Sequence, residues 1–244
     1  DGSGQFRYME QPLLTLIEKL GLDINYVTDL NVDKNPSVFQ STKAIIVGGH
    51  SEYWTVAMRD SIDAAVASGV NLVAFGGNTA YAITEIEGRE IRGRTAYRDV
   101  LRPESLLLGS QYFALGIKKD LISNNVWPFA TLGQDAVIKG LYGYEADTAM
   151  GTIGPGVQVV ARAAISPTEK GFVAMSTYYN APSGASVMNM GTNAWVCAMK
   201  NRCPWGHTFD SVAQKQITQV TTEVLKTVKT SKWPVAQIDI PARP

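Results

Sequence analysis

The sequence predicts an α/β protein of three layers, in which helices cover both faces of a mostly parallel central sheet. Three observations support this prediction: two short apolar strands, an amphipathic helix between them, and another amphipathic helix before the first strand. Strands that are separated by crossover helices pair in parallel, and the helices then pack on the sheet. Additional β-strands are expected in the C-terminal half.

Composition is that of an ordinary globular chain. Of 244 residues, 45% are hydrophobic, and the 22 basic residues balance the 22 acidic ones. This balance gives no support to a partner such as nucleic acid or an anionic membrane surface. The sequence has no apolar run of about 18 residues, so no membrane-spanning helix is expected. We expect residues 1–244 to form a single α/β domain.

The first half alternates between helices and strands. Apolar residues recur at helical spacing from Pro12 to Leu20, and Gly21 ends this helix. A second amphipathic pattern covers residues 54–66 and ends before Gly69. The predicted strands lie at 24–28, 43–47 and 72–75, and a short helical stretch follows the last of them, from 79 to 84. The strand at 43–47 is apolar throughout, which favours burial on both faces.

The second half changes in character. Residues 87–135 are weakly periodic, and we interpret them as loops, edge strands and short helices over one end of the sheet. Strands are predicted at 157–164, 171–179 and 185–190, with turn residues between them. A long amphipathic helix is predicted over 210–230, and the proline-containing tail, 233–244, is expected to be extended.

The two cysteines, Cys197 and Cys203, leave two alternatives open. Five residues separate them, and Pro204 and Gly206 favour a turn, so a disulfide can close there. With His207 they make only three nearby ligands, which are too few for a structural zinc site. A disulfide favours a secreted or otherwise exported protein, whereas free thiols favour the cytoplasm.

The richest segment is His50-Ser51-Glu52-Tyr53-Trp54, which follows the strand at 43–47 after two glycines. Functional groups in open α/β sheets gather beyond the carboxyl ends of strands. A phenol and a carboxylate are hard, anionic ligands that suit ferric iron better than zinc. In the alternative interpretation, Tyr53 and Trp54 are core aromatics and Glu52 stabilises the N-terminus of the next helix.

Two other segments bear on the site. Residues 142–147 offer two more phenols, Tyr142 and Tyr144, and two carboxylates, Glu145 and Asp147. The turn after the strand at 72–75 contains Asn78, which can either hydrogen-bond a developing oxyanion or simply tolerate a left-handed turn conformation. No cysteine occupies this turn, so it offers no thiol nucleophile.

A family resemblance rests on these same segments and extends over nearly the whole chain. The motifs that carry it are His50-Ser51-Glu52-Tyr53-Trp54-Thr55, Met58-Arg59-Asp60, Phe75-Gly76-Gly77-Asn78-Thr79-Ala80-Tyr81 and, more weakly, residues 16–29, 143–147, 183–185 and 191–195. They resemble the C-terminal domain family of the N,N-dimethylformamidase large (beta) subunit. The resemblance implies a glutamine-amidotransferase-like (flavodoxin-like) fold that lacks the amidotransferase cysteine.

The resemblance also implies a metal centre. In the family, a mononuclear iron is held by two tyrosines and one glutamate, and the matching positions here are Tyr53 and Glu145. The other tyrosine belongs to an upstream segment that has no counterpart here, and Tyr8 does not match it. We therefore expect either that the chain begins inside the family domain or that its branch lost the site.

Two functions follow as hypotheses. The first is an iron-dependent hydrolase-like domain for a small amide or related C–N bond, in which His50 or Glu52 activates water and Asn78 holds the oxyanion. The second is a non-catalytic exported domain that binds a carbohydrate, a peptide or a partner through the same pocket. Association with a second copy or another chain is also expected. Either hypothesis predicts that Tyr53 and Glu145 converge, with His50 and Asn78 around them.

Overall fold

The computed structural model describes residues 4–88, 90–149, 156–164 and 173–237. The helices in this part of the chain are α1 (Gly4–Met9), α2 (Gln11–Leu20), α3 (Asp29–Lys34), α4 (Val56–Ala67), α5 (Ser105–Leu108), α6 (Ala194–Ala198) and α7 (Ser211–Thr230). The strands are β1 (Ala44–Val47), β2 (Tyr53–Trp54), β3 (Asn71–Ala74), β4 (Ala82–Glu87), β5 (Glu90–Ala96), β6 (Gln111–Ser123), β7 (Val137–Thr148), β8 (Gln158–Ala163), β9 (Met175–Asn180) and β10 (Ser186–Asn189).

The main sheet is mostly antiparallel. Within the described residues it contains seven strands in the order β1-β3-β10-β9-β8-β6-β7. The β1–β3 and β3–β10 pairs are parallel, whereas the remaining neighbours run antiparallel. The predicted three-layer α/β/α fold with a mostly parallel sheet is therefore wrong, and with it the glutamine-amidotransferase-like (flavodoxin-like) expectation. The protein is a mixed α/β fold.

The reason for this error lies in the C-terminal half. The unit β1–α4–β3 does form a parallel pair across a crossover helix, as predicted, with Val47 opposite Ala74. The strands predicted at 157–164, 171–179 and 185–190 correspond to β8, β9 and β10. Of these, β10 pairs in parallel with β3, but β9 runs antiparallel to both of its neighbours, β10 and β8, and so reverses the direction of the sheet. Strand β1 lies at the sheet edge and is only partly buried, so the predicted burial of this strand on both faces is also wrong.

The helices that begin and end with clear sequence signals are confirmed. Gly21 ends α2 in the left-handed conformation, at φ 61°. The side chains of Thr55 and Asp210 accept hydrogen bonds from the first turns of α4 and α7, as helix-capping residues do. No strand forms at 24–28 and no helix at 79–84, where β4 begins at Ala82 instead. Predictions for 165–172 and for 238–244 lie outside the described residues.

The segment 87–135 contains more regular structure than its weak periodicity indicated. It includes β5 and the 13-residue β6, which pairs with the 12-residue β7 as a long antiparallel ribbon. The register of this ribbon shifts in three places, so alternation is interrupted. A separate sheet, also within the described residues, joins β2, β4 and β5 in that order.

Side chains on the two faces of the main sheet belong to two hydrophobic clusters. Val73 and Phe75 pack with residues of α2, α6 and α7 on one face. Leu72 and Ala74 pack with α4 and α5 on the other face. Because neighbouring residues of a strand point to opposite faces, β3 contributes to both clusters.

Cys197 and Cys203 form a disulfide, which confirms the predicted pairing. Both cysteines are fully buried. This bond is compatible with an exported protein and replaces the alternative of free cytoplasmic thiols. None of the described helices is long and apolar enough to cross a membrane.

Candidate active site

Glycines allow three backbone segments to meet at the end of β1. A Cβ atom at Gly49 would lie 2.4 Å from the carbonyl oxygen of Met9, and one at Gly76 would lie 2.4 Å from that of Gly49. Such distances are too short for any side chain, so only glycine fits. The Gly49 N–H also donates to the Met9 carbonyl at 3.0 Å. This glycine seam, Gly49 and Gly76, fixes the turn that leads into His50.

The β6–β7 ribbon brings Glu145 to the same place. A Cβ atom at Gly77 would lie 3.1 Å from the Glu145 carbonyl oxygen. Asn193 holds this contact, because its side-chain oxygen accepts from the Gly77 N–H at 3.0 Å and its amide nitrogen donates to the Glu145 carboxylate. Glu145 therefore reaches the end of β1 from a distant part of the sequence.

His50 lies between two carboxylates. Its Nε2 atom is 3.3 Å from Oε2 of Glu145 and 3.6 Å from Oε2 of Glu52. Glu52 is almost fully buried, and the side chain of Glu145 is 14% exposed. Nε2 itself is buried and makes no well-aligned hydrogen bond within the described structure. One ligand atom from each of these three residues lies within 4.8 Å of the others.

The carboxylates control the charge of His50. Burial lowers the pKa of His50, but the attraction of the carboxylates of Glu145 and Glu52 outweighs it and raises the pKa to about 9. Nδ1 of His50 lies 2.7 Å from Nε2 of Gln5, which fixes the ring from the opposite side. A side-chain amide can either donate to Nδ1 or accept from it, so Gln5 can serve either tautomer of the imidazole.

Arg94 and Tyr53 flank Glu52 on the solvent side. Nη2 of Arg94 donates to Oε1 of Glu52 at 2.6 Å, and the Arg94 guanidinium lies 5.5 Å from the centre of the Tyr53 ring. Burial raises the pKa of Glu52, but the favourable interactions of its carboxylate with His50, Arg94 and Tyr53 outweigh it and lower the pKa. Burial and the neighbouring carboxylates of Glu52 and Glu145 raise the pKa of Tyr53.

Asn78 lies in a turn with a strained backbone and hydrogen-bonds the buried side chain of Asp147. Its φ is 55°, and its backbone N–H donates to Oδ1 of Asp147 at 2.7 Å. Complete burial raises the pKa of Asp147 to about 7, although hydrogen bonds from Asn78 and Asn189 oppose this increase. The Asn78 side chain is 2% exposed, and its Oδ1 atom lacks a donor among the described residues. A buried carbonyl oxygen without a donor calls for a water or a ligand.

The structure thus brings together three of the predicted residues, His50, Glu52 and Glu145, through measured contacts. Tyr53 is adjacent, since its hydroxyl interacts with Glu52 and the charge of Glu145 contributes to its raised pKa. The other phenols of the second motif are elsewhere: Tyr142 is buried against Ser176, and Tyr144 stacks on Trp205. The catalytic and metal-binding roles of the site residues remain predictions.

Several residues of the site were missed by sequence reasoning. Asn193 belongs to a motif that carried the resemblance, but nothing indicated that it contacts Glu145. Arg94 lies among the charged residues of β5, and Gln5 precedes the first predicted helix, so neither carried a signal. Each could be found only from a contact across a long sequence separation, which is 42 residues for Arg94 and Glu52.

The cluster fits a metal ion. Ligands with bonds of about 2 Å to one ion lie roughly 3–4 Å apart, which His50, Glu52 and Glu145 approach with small movements. The buried Nε2 atom without a hydrogen-bonding partner is the atom that an ion would satisfy. One imidazole and two carboxylates suit iron, manganese or zinc.

Comparison with known proteins identifies one family. The profile of the family described as "N,N-dimethylformamidase beta subunit-like, C-terminal" matches residues 1–205 of the chain. The match includes the whole of the His50, Glu52 and Glu145 cluster, and Asn193 as well. A search of curated proteins finds no match.

Proposed function

Because the chain belongs to the N,N-dimethylformamidase beta subunit-like, C-terminal family, we propose that it is an iron-dependent, hydrolase-like domain acting on a small amide or related C–N bond. The family description points to amide hydrolase-related function. The observation that carries the proposal is the buried Nε2 atom of His50, which lies without a hydrogen bond between the carboxylates of Glu52 and Glu145.

His50, Glu52 and Glu145 would hold the ion, with Tyr53 beside them. The family resemblance implies Tyr53 and Glu145 as ligands, and the cluster adds His50 and Glu52 as competing donors. When bound, the ion would polarise the amide carbonyl and lower the pKa of a water molecule. Gln5 would orient the imidazole from behind, as outer residues commonly do for ligating histidines.

Residues of the protein would accept the proton and orient the substrate. A carboxylate that is not used as a ligand, Glu52 or Glu145, would accept the proton of the attacking water. The Oδ1 atom of Asn78, which is buried without a donor, would accept a hydrogen bond from the N–H of the reacting amide. The side-chain Nδ2 atom would donate to the oxyanion, since Asp147 already accepts from the Asn78 backbone N–H.

A metal analysis of the purified chain tests this proposal. We expect about one iron per chain by mass spectrometry, and release of amine from short linear amides such as N-methylformamide. Glu145→Gln should lower both quantities, whereas Glu223→Gln on α7 should leave them unchanged. A protein without metal and without amidase activity after reconstitution with ferrous, ferric, manganese and zinc salts would contradict the proposal.

The visible spectrum separates the ligand sets. Phenolate ligation by Tyr53 to ferric iron gives a charge-transfer band that Tyr53→Phe removes. Ligation by His50, Glu52 and Glu145 alone gives no such band, and the iron content then falls in His50→Gln but stays in Tyr53→Phe.

A second function is favoured by one observation. Arg94 and protonated His50 already balance the charges of Glu52 and Glu145, so the cluster is stable without an ion. This favours a non-catalytic, exported domain that binds a ligand or partner through the same pocket, and the disulfide agrees with export. This alternative would be supported if the purified protein contained no metal, showed no amidase activity and bound members of a carbohydrate or peptide array.

A further inference from the structure

Arg94 leaves most of its hydrogen-bonding capacity unused at the entrance to the cluster. Its guanidinium donates through Nη2 to Oε1 of Glu52, and it has no other hydrogen-bonding partner within the described residues. The side chain is 63% exposed. A guanidinium has five N–H donors, so four remain available on the solvent side.

The neighbouring Arg92 shows how different this arrangement is. Arg92 lies two residues earlier on β5, across Gly93, where the register of β4 and β5 shifts. Arg92 is bound on both sides, by Glu87 and by Glu90, each at 2.8 Å. Arg94 instead donates from one edge to Glu52 and is otherwise exposed to solvent. The same residue type on the same strand is therefore occupied at one position and open at the other.

The charges around Arg94 favour an anion. Glu52 and Glu145 carry two negative charges and Arg94 carries one positive charge. A bound divalent or trivalent ion, with His50 as a neutral ligand, leaves the centre with a net positive charge. A ligand with a negative group at the Arg94 end would neutralise this charge, because opposite charges at close range attract.

The position of Arg94 limits where that negative group can be. Only the Glu52 carboxylate separates the guanidinium from the metal-binding cluster, since Oε1 of Glu52 contacts Arg94 and Oε2 faces His50. The anionic group of a ligand must therefore lie within a few bonds of the group that reacts. The Tyr53 ring beside the guanidinium adds an apolar wall for the connecting atoms.

From these contacts we infer that Arg94 is a specificity-determining residue that binds the carboxylate of the substrate, so that the preferred substrate is an amide with a carboxylate close to the scissile bond. An N-acyl amino acid has this chemistry. A planar guanidinium matches a carboxylate with two parallel hydrogen bonds, which a neutral amide cannot form. The inference rests on the proposed amide hydrolysis and adds the substrate class.

The test compares two substrates of similar size and shape. N-formylglycine carries the carboxylate, and N-propylformamide replaces it with an ethyl end. For the metal-loaded wild-type protein, we expect kcat/KM for N-formylglycine to exceed that for N-propylformamide by roughly ten- to hundredfold. Arg94→Gln should remove most of this preference, mainly through a higher KM, because the carboxylate does not take part in the reaction.

Controls make the result specific. Arg92→Gln removes a charge from the same strand, β5, and should retain the wild-type preference. Arg94→Lys should recover part of the preference, since it restores the charge without the two parallel donors. Titration calorimetry with N-formylglycine, without turnover, should show weaker binding to Arg94→Gln than to Arg92→Gln.

The outcomes separate this inference from the proposed function. Hydrolysis of both amides with a preference that Arg94→Gln leaves unchanged would overturn the role of Arg94 and leave the hydrolase standing. Binding of N-formylglycine that depends on Arg94, without release of formate, would support carboxylate recognition and contradict hydrolysis of this amide class. Absence of binding and of hydrolysis would overturn both.

Discussion

The chain contains two histidines, and the regions around them behave in opposite ways. His50 follows β1 and lies between two carboxylates, which raise its pKa to about 9 against the effect of burial. His207 lies in the loop before α7, stacked on Phe209, and burial and the charge of Lys118 lower its pKa. Both have an Nε2 atom that is buried without a hydrogen bond among the described residues.

The difference shows what makes an unpartnered nitrogen a functional signal. At His50, carboxylate oxygens lie within 3.6 Å of Nε2, so a cation or a proton can bind between the nitrogen and these oxygens. At His207, the ring packs against Gly140 and Gly143, whose missing side chains make room for it. The same side chain therefore belongs to a candidate active site in one region and to backbone packing in the other.

Replacement of each histidine by glutamine should give the largest difference between the two regions. His50→Gln should lower the rate of amide hydrolysis about a thousandfold, because it removes a ligand or a proton carrier from the cluster. His207→Gln should stay within about threefold of the wild-type rate, since its ring serves to pack against Gly140 and Gly143 and to stack on Phe209. Steady-state kinetics on N-methylformamide measure both, and equal losses in the two variants would contradict the distinction.

Alanine at a glycine beside each histidine should also give unequal results. Gly76→Ala should lower the free energy of unfolding by about 3 kcal/mol, because its Cβ would strike the Gly49 carbonyl, which cannot move away. Gly140→Ala should cost about 1–2 kcal/mol, since its φ is 64° but its obstacles are the flexible ends of Lys118 and His207. Urea unfolding measures both values, and a larger loss at Gly140 would reverse the ranking.

Loss of the disulfide should affect mainly the His207 region. The Cys203 N–H donates to the His207 carbonyl at 2.8 Å, so the closed loop is part of that region. Replacement of both cysteines by alanine should lower the free energy of unfolding by about 2 kcal/mol, the value expected for a short loop. NMR spectra should show a shift of the His207 ring signals and unchanged His50 signals. Two free thiols in the denatured, unreduced wild-type chain would contradict the bond itself.

The smallest effect concerns protonation. Glu145→Gln should lower the pKa of His50 from about 9 by about 1, because it removes one of the two negative charges near Nε2. The pKa of His207 should stay below 6.5 in the same spectra. With only two histidines in the chain, NMR titration of the ring protons resolves both.

Protonation of His50 also sets a pH dependence of stability. Its pKa is raised in the folded protein, so its contribution to the free energy of unfolding is complete below about pH 6.5 and is lost as the pH rises towards 9. Glu145→Gln should flatten this decline, which urea unfolding at several pH values will show. A wild-type protein that becomes more stable between pH 6.5 and 9 would contradict the assigned charges.

The sequence predicted the local parts of the site well, because they are local. His50, Glu52 and Tyr53 lie together in a turn after an apolar strand, and the family resemblance connected them to Glu145. The crossover unit β1–α4–β3 was also predictable from an amphipathic helix between two apolar runs. The contacts of Arg94, Gln5 and Asn193 were not, since each joins residues that are far apart in sequence.

Strand direction was the larger failure. Only five residues, 181–185, separate β9 from β10, and such a short connection requires an antiparallel pair. This short connection is visible in the sequence, but the alternation of helices and strands in the first half favoured a parallel sheet. The β6–β7 ribbon was hidden for another reason: its register shifts interrupt the alternation of apolar and polar residues, and most of β6 is only partly buried.

The hairpin of β4 and β5 has a consequence for how members of this family can diverge. Its base is fixed to the segment that carries Glu52, through the pairs Tyr53 with Ala82 and Ala82 with Ala96. Its outer part, residues 90–95, is exposed and supports no hydrophobic cluster. Exchanges at exposed positions outside such clusters are usually well tolerated. Evolution, or a protein engineer, can therefore change the residue that stands beside Tyr53, and so the ligand that is admitted, without rebuilding the cluster underneath.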